Sequence, residues 1–349
     1  MKSFFIGDRE FNKTELELWA WSRLRDAPGW EKAHLLFILQ WLAHVDFVVV
    51  HTSGSTGEPK PIKLLKKHME ASAKLTSSYF QLPAQSRVLL CLPSTGIAGK
   101  MMIARSLVNG WKLYWQQPSS HPQIVPGSHY DFAALTPMQV QNLLTDSREK
   151  FEEIKTVIIG GAEISPGLEK QIAECSNCCT ATFAMTETCT HIAVRELNGT
   201  HASQHYHALP GVIFRQDERG CLCITSEYLG NIEIVTNDIV QLSGSTAFQF
   251  VGRWDNVINS GGVKLFPEKM EAKLKSRIAE PHFIIGRDDV YFGKKVVLYI
   301  EGWPWPDEKV EQLRQDMKNI LQPTEVPKEI VFALKFERTH AGKIKRRNY

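Results

Sequence analysis

A run of hydroxyl and glycine residues near the start of the chain has the composition of a phosphate-binding loop. It follows an apolar run at residues 47–50, which predicts a buried strand. Glycines let a backbone fold tightly around an anion and present its N–H groups, and hydroxyls add further donors. Lys60, which ends the run, adds a positive charge. The residues predicted to hold phosphate are Thr52, Ser53, Gly54, Ser55, Thr56, Gly57 and Lys60.

This run differs from the G-x-x-x-x-G-K-[ST] motif, because Lys60 does not directly follow the second glycine, Gly57. Hydroxyl-rich turns are also common on protein surfaces. The alternative interpretation is therefore a polar surface loop after a strand.

The elements that would position this loop alternate between strands and helices. Strands are predicted at residues 87–92, 112–115, 132–135, 156–159 and 181–184, and helices at 13–25, 30–43, 66–79, 100–109, 138–144 and 166–174. Strand, glycine-bearing turn, helix and strand in that order are typical of βαβ units. Ligands of open α/β sheets bind at the carboxyl ends of strands, so these turns should converge on one crevice.

The sequence pattern changes after residue 210. Short strands at 211–214, 221–225, 232–235, 239–242 and 248–251 predict an antiparallel meander or a small barrel. Helices at 268–278 and 307–321, with strands at 282–285, 295–300 and 329–336, predict a separate α+β unit.

We therefore predict an α/β large domain followed by a small mobile α+β C-terminal domain. The large domain should hold a parallel β-sheet with helices and a small antiparallel β-subdomain. The predicted boundaries are residues 1–252 for the large domain, 253–256 for a hinge and 257–349 for the C-terminal domain.

Composition narrows the functional class. The 349 residues carry 41 Lys and Arg against 38 Asp and Glu, a net charge of +3, which gives no argument for nucleic-acid binding. The most apolar segment, residues 35–50, is interrupted by Gln40, His44 and Asp46, so no membrane insertion is predicted. The start of the chain has no secretion signal, and seven scattered cysteines suit a reducing compartment. We predict a cytoplasmic protein with free thiols.

Six motifs follow one another in an order that resembles the adenylate-forming superfamily of acyl-CoA synthetases, luciferases and nonribosomal adenylation domains. They are the hydroxyl-rich loop, Gly160-Gly161-Ala162, Met185-Thr186-Glu187-Thr188, Thr236-Asn237-Asp238, Gly252-Arg253-Trp254-Asp255 and Gly342-Lys343-Ile344-Lys345-Arg346. Within the superfamily, the chain is most similar to the o-succinylbenzoate–CoA ligases of menaquinone synthesis. That finer similarity lies in residues 52–57, 134–139, 185–188 and 260–268.

The resemblance implies that an acid reacts with ATP to form an acyl-adenylate. It places the β- and γ-phosphates on the hydroxyl-rich loop, the α-phosphate on Thr186 and Mg²⁺ on Glu187. The adenine would stack on Phe183, and the ribose would meet Asp238 and Arg253. Along the edge of the adenine the resemblance places Gly161, Ala162 and Glu163. The alternatives are a helix cap for the Thr-Glu pair, a core position for Phe183 and an ordinary turn position for Asp238.

The resemblance also gives roles to the second half of the chain. Lys343 would bridge the substrate carboxylate and the α-phosphate during adenylation, and Lys343 is the residue most expected to be catalytic. Asp255 would be the hinge about which the small domain rotates, and Gly261 and Gly262 would leave room for the pantetheine arm of coenzyme A. The alternative for Lys343 is a solvated basic tail, because neighbouring residues are also cationic.

The acid substrate is the least defined part of the prediction. Succinylbenzoate has a second carboxylate, so its pocket should offer a cation. Lys100 and Arg105 follow a turn that the family places near the acyl group, with Met185 beside it, although both cations could instead face solvent. Two features depart from the family: only about fifty residues precede the phosphate loop, and Gly96 stands near the place of a histidine often found there.

Three functional interpretations follow. The first is an acid–CoA ligase that uses ATP, Mg²⁺ and coenzyme A, with o-succinylbenzoate as substrate. The second is another aryl- or acyl-CoA ligase, or a stand-alone adenylation domain that loads a carrier protein. The third is a non-catalytic nucleotide-binding protein, suggested by the short segment before the phosphate loop. The sequence leaves the oligomeric state open.

Overall fold

The chain divides into two compact units, each built around its own apolar core. The computed structural model describes residues 3–51, 61–338 and 344–349. The first unit contains Met1–Ile213 and Thr225–Ile232, and the second contains Phe214–Ile224 and Glu233–Tyr349. This division does not test the predicted hinge at residues 253–256, which stays a prediction.

The first unit alternates strands and helices along most of its length. In chain order they are β1 (Phe4–Ile6), β2 (Arg9–Phe11), α1 (Lys13–Leu24), α2 (Gly29–Leu42), β3 (Phe47–His51), β4 (Pro61–Leu65), α3 (Lys66–Tyr79), β5 (Arg87–Leu90), α4 (Ile97–Asn109), β6 (Lys112–Trp115), β7 (Tyr130–Leu135), α5 (Pro137–Asp146), α6 (Arg148–Glu152), β8 (Ile154–Ile159), α7 (Pro166–Ala173), β9 (Cys178–Ala184), β10 (His191–Glu196) and β11 (Tyr206–Ala208).

The main sheet of this unit is parallel at its centre. Its strand order is β11-β10-β9-β8-β7-β5-β6-β1-β2. Strands β9, β8, β7, β5 and β6 run parallel, whereas β10 pairs antiparallel with β9 and β11 with β10. The chain leaves β5 to form β6 on one side and then returns to form β7 on the other. The carboxyl ends of β5 and β7 therefore form a topological switch point, where open α/β sheets bind ligands.

Local sequence signals explain where several helices begin. Asn12 caps α1, because its side chain accepts from the Glu15 N–H at 3.0 Å while the Glu15 carboxylate accepts from the Asn12 N–H at 2.8 Å. Thr136 and Gln139 form the same reciprocal pair at the start of α5. One face of the sheet packs on α5 and α7 through a continuous set of buried residues that includes Ala133, Val157 and Ile172.

The second unit begins within a meander and ends in an α+β layer. Its elements are β12 (Val212–Gln216), β13 (Cys221–Ser226), β14 (Ile234–Leu242), β15 (Ala247–Arg253), β16 (Ile258–Ser260), β17 (Val263–Leu265), α8 (Pro267–Leu274), β18 (His282–Asp289), β19 (Gly293–Glu301), α9 (Asp307–Ile320) and β20 (Glu329–Ala333). Strands β12 and β13 extend a few residues into the first unit.

The sheets of the second unit are small. Strands β13, β14 and β15 are antiparallel, with β12 beside β13. Strands β18, β19 and β20 form a separate sheet whose apolar face packs on α8 and α9, with Met270, Leu298 and Met317 in the core.

The predicted fold class is confirmed: a helix-flanked parallel sheet with an antiparallel extension precedes a small α+β layer. The two strands predicted at 232–235 and 239–242 are wrong, because both belong to one strand, β14. Helix α8 also ends four residues earlier than the predicted helix at 268–278. Among the described residues, none of the helices combines the length and apolarity needed to span a bilayer.

Candidate functional site

Turns that follow the parallel strands of the first unit lie at one edge of its sheet. The loop after β5 leads to α4, Thr136 follows β7, the turn at residues 160–165 follows β8, and the turn at residues 185–190 follows β9. Because these strands run parallel and neighbour one another, their carboxyl ends share an edge. These four turns therefore share one edge of the sheet, as predicted, and their convergence on one crevice stays a prediction.

The turn after β8 depends on two glycines. A Cβ atom on Gly160 would lie 2.5 Å from the Thr182 Oγ1 atom, so a larger residue would displace the Thr182 side chain from its hydrogen bond to the Ile159 carbonyl. Gly161 has a φ of +86°, a conformation that side chains with a Cβ rarely adopt. Ala162 and Glu163 follow on the surface of the turn. Backbone groups of this turn can consequently approach a flat ligand closely, as the prediction for the adenine edge requires.

The turn after β9 presents Thr186 and Glu187. The Cys189 N–H donates to the Thr186 carbonyl at 3.0 Å, and Cys189 takes a positive φ of 64° to close the turn. The buried Thr188 hydroxyl accepts from the Met185 N–H at 3.1 Å. Within the described residues, neither the Thr186 hydroxyl nor the Glu187 carboxylate has a hydrogen-bond partner, and the Glu187 side chain is exposed. Both groups are therefore available to a ligand.

Phe183, the predicted adenine platform, lies in β9 directly before this turn. Its ring is half-buried and meets the Tyr206 ring edge-on, with centroids 5.9 Å apart. Its intermediate exposure fits a stacking surface better than a core position. The role of Phe183 stays a prediction.

Lys100 lies at the switch point, in the first turns of α4. Its Nζ atom donates to the Ser94 carbonyl at 2.7 Å and lies 5.1 Å from the centre of the Phe37 ring. Burial lowers the pKa of this half-buried amine. The same residue, Ser94, also contacts His34: the His34 Nδ1 atom lies 2.7 Å from the Ser94 hydroxyl, and His34 is fully buried. Lys100 therefore belongs to a cluster at the carboxyl end of β5.

Arg105, the other cation predicted for the acid, is in a different environment. It lies one to two turns further along α4 and is only 2% exposed. Its guanidinium group donates to the Thr190 hydroxyl and to the His191 Nδ1 atom, the latter across 3.2 Å. The structure therefore brings Arg105 to the end of the 185–190 turn and not to the surface. Its predicted role in acid binding stays a prediction.

In the second unit, the two residues predicted for the ribose are direct neighbours. Asp238 and Arg253 face each other across β14 and β15, and the Arg253 Nη1 atom donates to the Asp238 carboxylate at 3.1 Å. Asp238 lies within β14, so the alternative of an ordinary turn position is wrong. Arg253 also donates to Asp255 at 2.7 Å, and Asp255 accepts from Asn237 at 3.0 Å. The predicted hinge residue is thus tied to the predicted ribose pair.

Gly261 and Gly262 form the two-residue turn between β16 and β17. Their φ values are +56° and +82°, and Ser260 pairs with Val263 across the hairpin. A turn with two positive φ angles in succession is typical of two-residue hairpins and favours glycine at both places. This geometry accounts for both glycines without a ligand, so their role in binding coenzyme A stays a prediction.

Several predicted residues lie outside the described residues. They are Lys343 and the phosphate loop residues Thr52, Ser53, Gly54, Ser55, Thr56, Gly57 and Lys60. Their roles stay predictions.

The sequence indicates no role for His34 and Thr190, and none for Thr188 and Asn237, although these last two belong to motifs named above. His34, Thr190 and Asn237 act through partners far away in the sequence, such as the Ser94 hydroxyl for His34, sixty residues away, whereas Thr188 bonds to Met185 and Thr190 within its own turn. The only available signal in the sequence was a polar residue among apolar ones. His34 in α2 is an example, because its neighbours Leu35, Phe37 and Ile38 are apolar and buried.

Comparisons with known proteins place this geometry in a family. The sequence model of the AMP-binding enzyme family matches residues 40–215, half of the chain. A solved structure of an acyl-CoA synthetase (AMP-forming)/AMP-acid ligase II-like protein from Dyadobacter fermentans is 34% identical, covers 96% of this chain and 97% of its own, and superposes with a TM-score of 0.64.

Two further relatives share a more specific name. The 2-succinylbenzoate–CoA ligase of Listeria monocytogenes is 23% identical over 320 residues, which cover 85% of this chain and 68% of that protein. The o-succinylbenzoate CoA synthetase (MenE) of Bacillus subtilis, solved with the acyl-adenylate intermediate OSB-AMP, is 19% identical with a TM-score of 0.74 over 85% of this chain and 67% of that one. At this identity the latter similarity concerns the fold. The family match over half of the chain shows that this protein belongs to the AMP-binding enzymes.

Proposed function

We propose that this protein is an AMP-forming acid–CoA ligase, with o-succinylbenzoate as its acid. The acid would react first with ATP and then with coenzyme A. The observation that carries the proposal is the turn at residues 185–190, which holds an exposed carboxylate and an unpartnered hydroxyl, among the described residues, at the carboxyl edge of a parallel sheet. The names of the Listeria and Bacillus relatives support the choice of acid.

In the first half-reaction, an oxygen of the acid attacks the α-phosphorus of ATP, and pyrophosphate leaves. The product is an acyl-adenylate, whose carbonyl carbon is far more electrophilic than that of the carboxylate. Negative charge gathers on phosphate oxygens during this step, so catalysis consists of positioning and electrostatic stabilisation. The Thr186 hydroxyl would donate to an α-phosphate oxygen, and Lys343 would neutralise charge between the two reactants.

The nucleotide enters as its magnesium complex. Among the described residues there is no cluster of three carboxylate, imidazole or thiolate groups that could hold a metal alone. An exposed single carboxylate, Glu187, suits Mg²⁺, which keeps several waters and shares its remaining sites with phosphate oxygens. When bound, the ion would draw charge from the phosphates. Glu187 would orient the nucleotide through one bond to it.

In the second half-reaction, the thiol of coenzyme A attacks the acyl carbonyl and AMP leaves. Lys343 would meet the reactants on one side, so the thiol would have to arrive by another route. Asp255, bonded to Arg253 and Asn237, would be the residue about which the chain bends between the two half-reactions. Gly261 and Gly262 would border the thiol route.

Lys100 is the better candidate for the second carboxylate of o-succinylbenzoate. Its ammonium group has three donors, and one of them is used by the Ser94 carbonyl. It is half-buried, so a charge-assisted bond to a carboxylate would be less screened than at the surface. Arg105 is fully buried and occupied by Thr190 and His191.

The test is ATP–pyrophosphate exchange with a panel of o-succinylbenzoate, benzoate, succinate and a medium-chain fatty acid. We expect exchange with o-succinylbenzoate at the highest kcat/KM, followed by thioester formation when coenzyme A is added. Exchange with another acid but not with o-succinylbenzoate would refute the assignment of o-succinylbenzoate as the substrate. Transfer to a carrier protein but not to coenzyme A would refute the acceptor, and no exchange with any acid would refute ligase activity.

Lys100→Met tests the acid pocket. We expect KM for o-succinylbenzoate to rise roughly 10- to 100-fold, because a charge-assisted hydrogen bond is lost. The KM of any activity with benzoate should not change, since benzoate has no second carboxylate. Lys74→Met, on the exposed face of α3, is the matched control and should behave as the wild type. An equal loss for both acids would contradict the assignment.

A further inference from the structure

Arg105 is a buried cation without an acidic partner among the described residues. Its side chain is 2% exposed in the interior of the first unit, and none of the described carboxylates lies within ion-pair distance. Its Nε atom is buried and has no acceptor within the described part of the chain. Burying a charge without a counter-charge is unfavourable, so a position of this kind calls for a compensating role.

Two partners of the Arg105 guanidinium group lie where the 185–190 turn ends and β10 begins, and the third, the Met102 Sδ atom 3.8 Å from Nη1, lies in α4 itself. The Nη2 atom donates to the Thr190 hydroxyl and lies 3.2 Å from the Nδ1 atom of His191. A guanidinium group can only donate, so the His191 Nδ1 atom must accept and its proton must reside on Nε2. That nitrogen lies 3.5 Å from the hydroxyl of Thr76 in α3. Burial and the nearby Arg105 charge hold the pKa of His191 well below its usual value, which keeps the ring neutral.

From Thr190, hydrogen bonds continue into the turn itself. The Thr188 hydroxyl donates to the Thr190 carbonyl at 2.6 Å and accepts from the Met185 N–H at 3.1 Å. The Tyr228 hydroxyl donates to the Thr188 carbonyl at 3.1 Å. Met185 and Thr190 are the two ends of the turn, so these bonds join its ends.

The residues held between these ends are Thr186 and Glu187. Neither makes a side-chain bond to the rest of the described structure, so their direction depends on the backbone of the turn. Cys189 holds that backbone in a left-handed conformation, which is unfavourable for a residue with a Cβ and persists only when its surroundings enforce it. The contacts at residues 188 and 190 supply that enforcement.

We propose that Arg105 is a positioning residue. From the interior of the first unit it holds the end of the 185–190 turn in place, so that Thr186 and Glu187 point at the nucleotide. The inference rests on the proposed function for the roles of those two side chains. Arg105 would thus affect catalysis through Thr190 without touching substrate. Its Nη2 atom alone contacts both the Thr190 hydroxyl and the His191 imidazole.

The experiment compares wild type with Arg105→Met, Thr190→Val and the double variant. Hydrogen exchange by mass spectrometry follows the peptide covering residues 185–190 in nucleotide-free protein, and ATP–pyrophosphate exchange gives kcat and KM. In Arg105→Met we expect faster amide exchange in that peptide only, with a thermal midpoint equal to or above that of the wild type, since a buried unpaired charge is removed. The kcat should fall about 10- to 100-fold, as expected for misplaced catalytic groups, while KM for the acid stays nearly constant.

Coupling separates this role from a general loss of packing. Thr190→Val should show the same local exchange and the same fall in kcat, and the double variant should lose no more than either single variant. Ser106→Ala is the matched control, because Ser106 is also buried in α4 but donates to Met102 of the same helix. It should match the wild type in every measurement.

Two results would overturn the proposal. One is wild-type exchange of the 185–190 peptide in Arg105→Met, and the other is faster exchange spread evenly over the first unit. If Arg105→Met does not fold, amide exchange of the 185–190 peptide in Thr190→Val tests the proposal instead, because that variant keeps Arg105 and removes only its hydroxyl partner. If the wild type activates no acid, the proposed function fails, yet amide exchange in nucleotide-free protein still tests the link between Arg105 and the turn.

Discussion

The guanidinium group of Arg346 donates hydrogen bonds to both carboxylate oxygens of Glu271, across 2.5 and 2.7 Å. Glu271 is buried in α8 and also accepts from the Ile284 N–H at 2.7 Å. Arg346 lies three residues after Lys343 in the sequence. The pair therefore joins the described end of the chain to α8 and β18 of the second unit.

Arg346→Ala should destabilise the second unit by about 3–5 kcal/mol, because it leaves a buried carboxylate without its counter-charge. Burial already raises the pKa of Glu271 to about 7, with Arg346 opposing that rise. Protonation should relieve the unpaired carboxylate, so the loss of stability should be larger at pH 8 than at pH 6. Urea unfolding at the two pH values measures the loss of stability and its dependence on pH.

Arg347→Ala is the control for that experiment. Arg347 pairs with Glu337 at 2.7 Å, but both side chains are about half exposed, and such pairs contribute about 0–1 kcal/mol. An equal loss of stability in Arg346→Ala and Arg347→Ala would show that the Glu271 pair contributes no more than a surface contact.

His34 should make the stability of the first unit depend on pH. Burial lowers the pKa of His34 to about 4, and the nearby Lys100 acts in the same direction. The unfolded chain, with an ordinary value near 6.5, therefore binds more protons than the folded chain between these two pH values. The contribution of neutral His34 to stability should be complete above pH 6.5 and should fall by about 3 kcal/mol as the pH drops to about 4.

His34→Gln isolates this contribution. The free energy difference between wild type and His34→Gln should shrink by about 3 kcal/mol from pH 7 to pH 4, since the variant cannot take up the proton. His121→Gln, at an exposed position, should keep the wild-type pH dependence. Parallel curves for wild type and His34→Gln would contradict the assignment.

Gly99 allows α4 to approach the loop after β5. A Cβ atom at this position would lie 2.4 Å from the Pro93 carbonyl oxygen and 2.6 Å from its carbon. Gly99→Ala should therefore cost about 1–3 kcal/mol by overpacking and displace the loop that holds Lys100. Thermal unfolding and KM for the acid measure the two effects.

Gly29→Ala is the matched control, because a Cβ there has nothing within 4 Å and Gly29 is the first residue of α2. It should be neutral or stabilising by about 0.5–1 kcal/mol. A Gly99→Ala variant as stable as Gly29→Ala would mean that the loop can move away without penalty.

Local chemistry could be predicted from the sequence wherever the partners are close in the chain. The reciprocal pair of Asn12 and Glu15 spans three residues, and α1 starts at residue 13, where the predicted helix at 13–25 starts. The parallel sheet was predicted from the recurrence of apolar run, glycine turn and helix, since each unit repeats the same local pattern. These features need no knowledge of distant contacts.

The wrong prediction at β14 has the opposite cause. The sequence predicts a break between two strands at Thr236, Asn237 and Asp238, because such residues favour turns. In the structure, Arg219 donates to the Asn237 side chain at 3.0 Å and to the Thr236 carbonyl at 3.2 Å, and Arg253 pairs with Asp238. These partners, fifteen or more residues away, satisfy polar groups that a sequence pattern assigns to solvent.

The same limit applies to the candidate site. The residue types Thr186 and Glu187 could be placed after a strand, but the contacts that orient them, from Arg105 through Thr190, span 85 residues. Burial of Arg105 also could not be foreseen, because a cation among apolar residues usually reaches the surface.

Asp255→Pro tests whether the chain bends at this residue between the half-reactions. Proline fixes φ near one value, so we expect one half-reaction to be retained and the other to fall about tenfold or more. Adenylation is measured by ATP–pyrophosphate exchange, and thioester formation by adding coenzyme A to pre-made acyl-adenylate.

Asp255→Ala controls for the lost bonds to Arg253 and Asn237 without restricting φ. Its effects on the two half-reactions should be similar to each other. If Asp255→Pro changes both half-reactions no more than Asp255→Ala does, bending at Asp255 is not required.

Lys343→Ala tests the residue most expected to be catalytic, which lies outside the described residues. If its charge is needed only where carboxylate and α-phosphate meet, adenylation should fall about 100-fold or more while thioester formation from pre-made acyl-adenylate stays near wild type. Lys345→Ala is the control, because Lys345 lies two residues away and its described contact is a backbone N–H donating to the Glu337 carbonyl at 2.8 Å. A basic tail that acts by charge alone predicts the same modest loss for both variants. Equal loss of both half-reactions in Lys343→Ala would instead indicate a role in folding or in binding shared by the two steps.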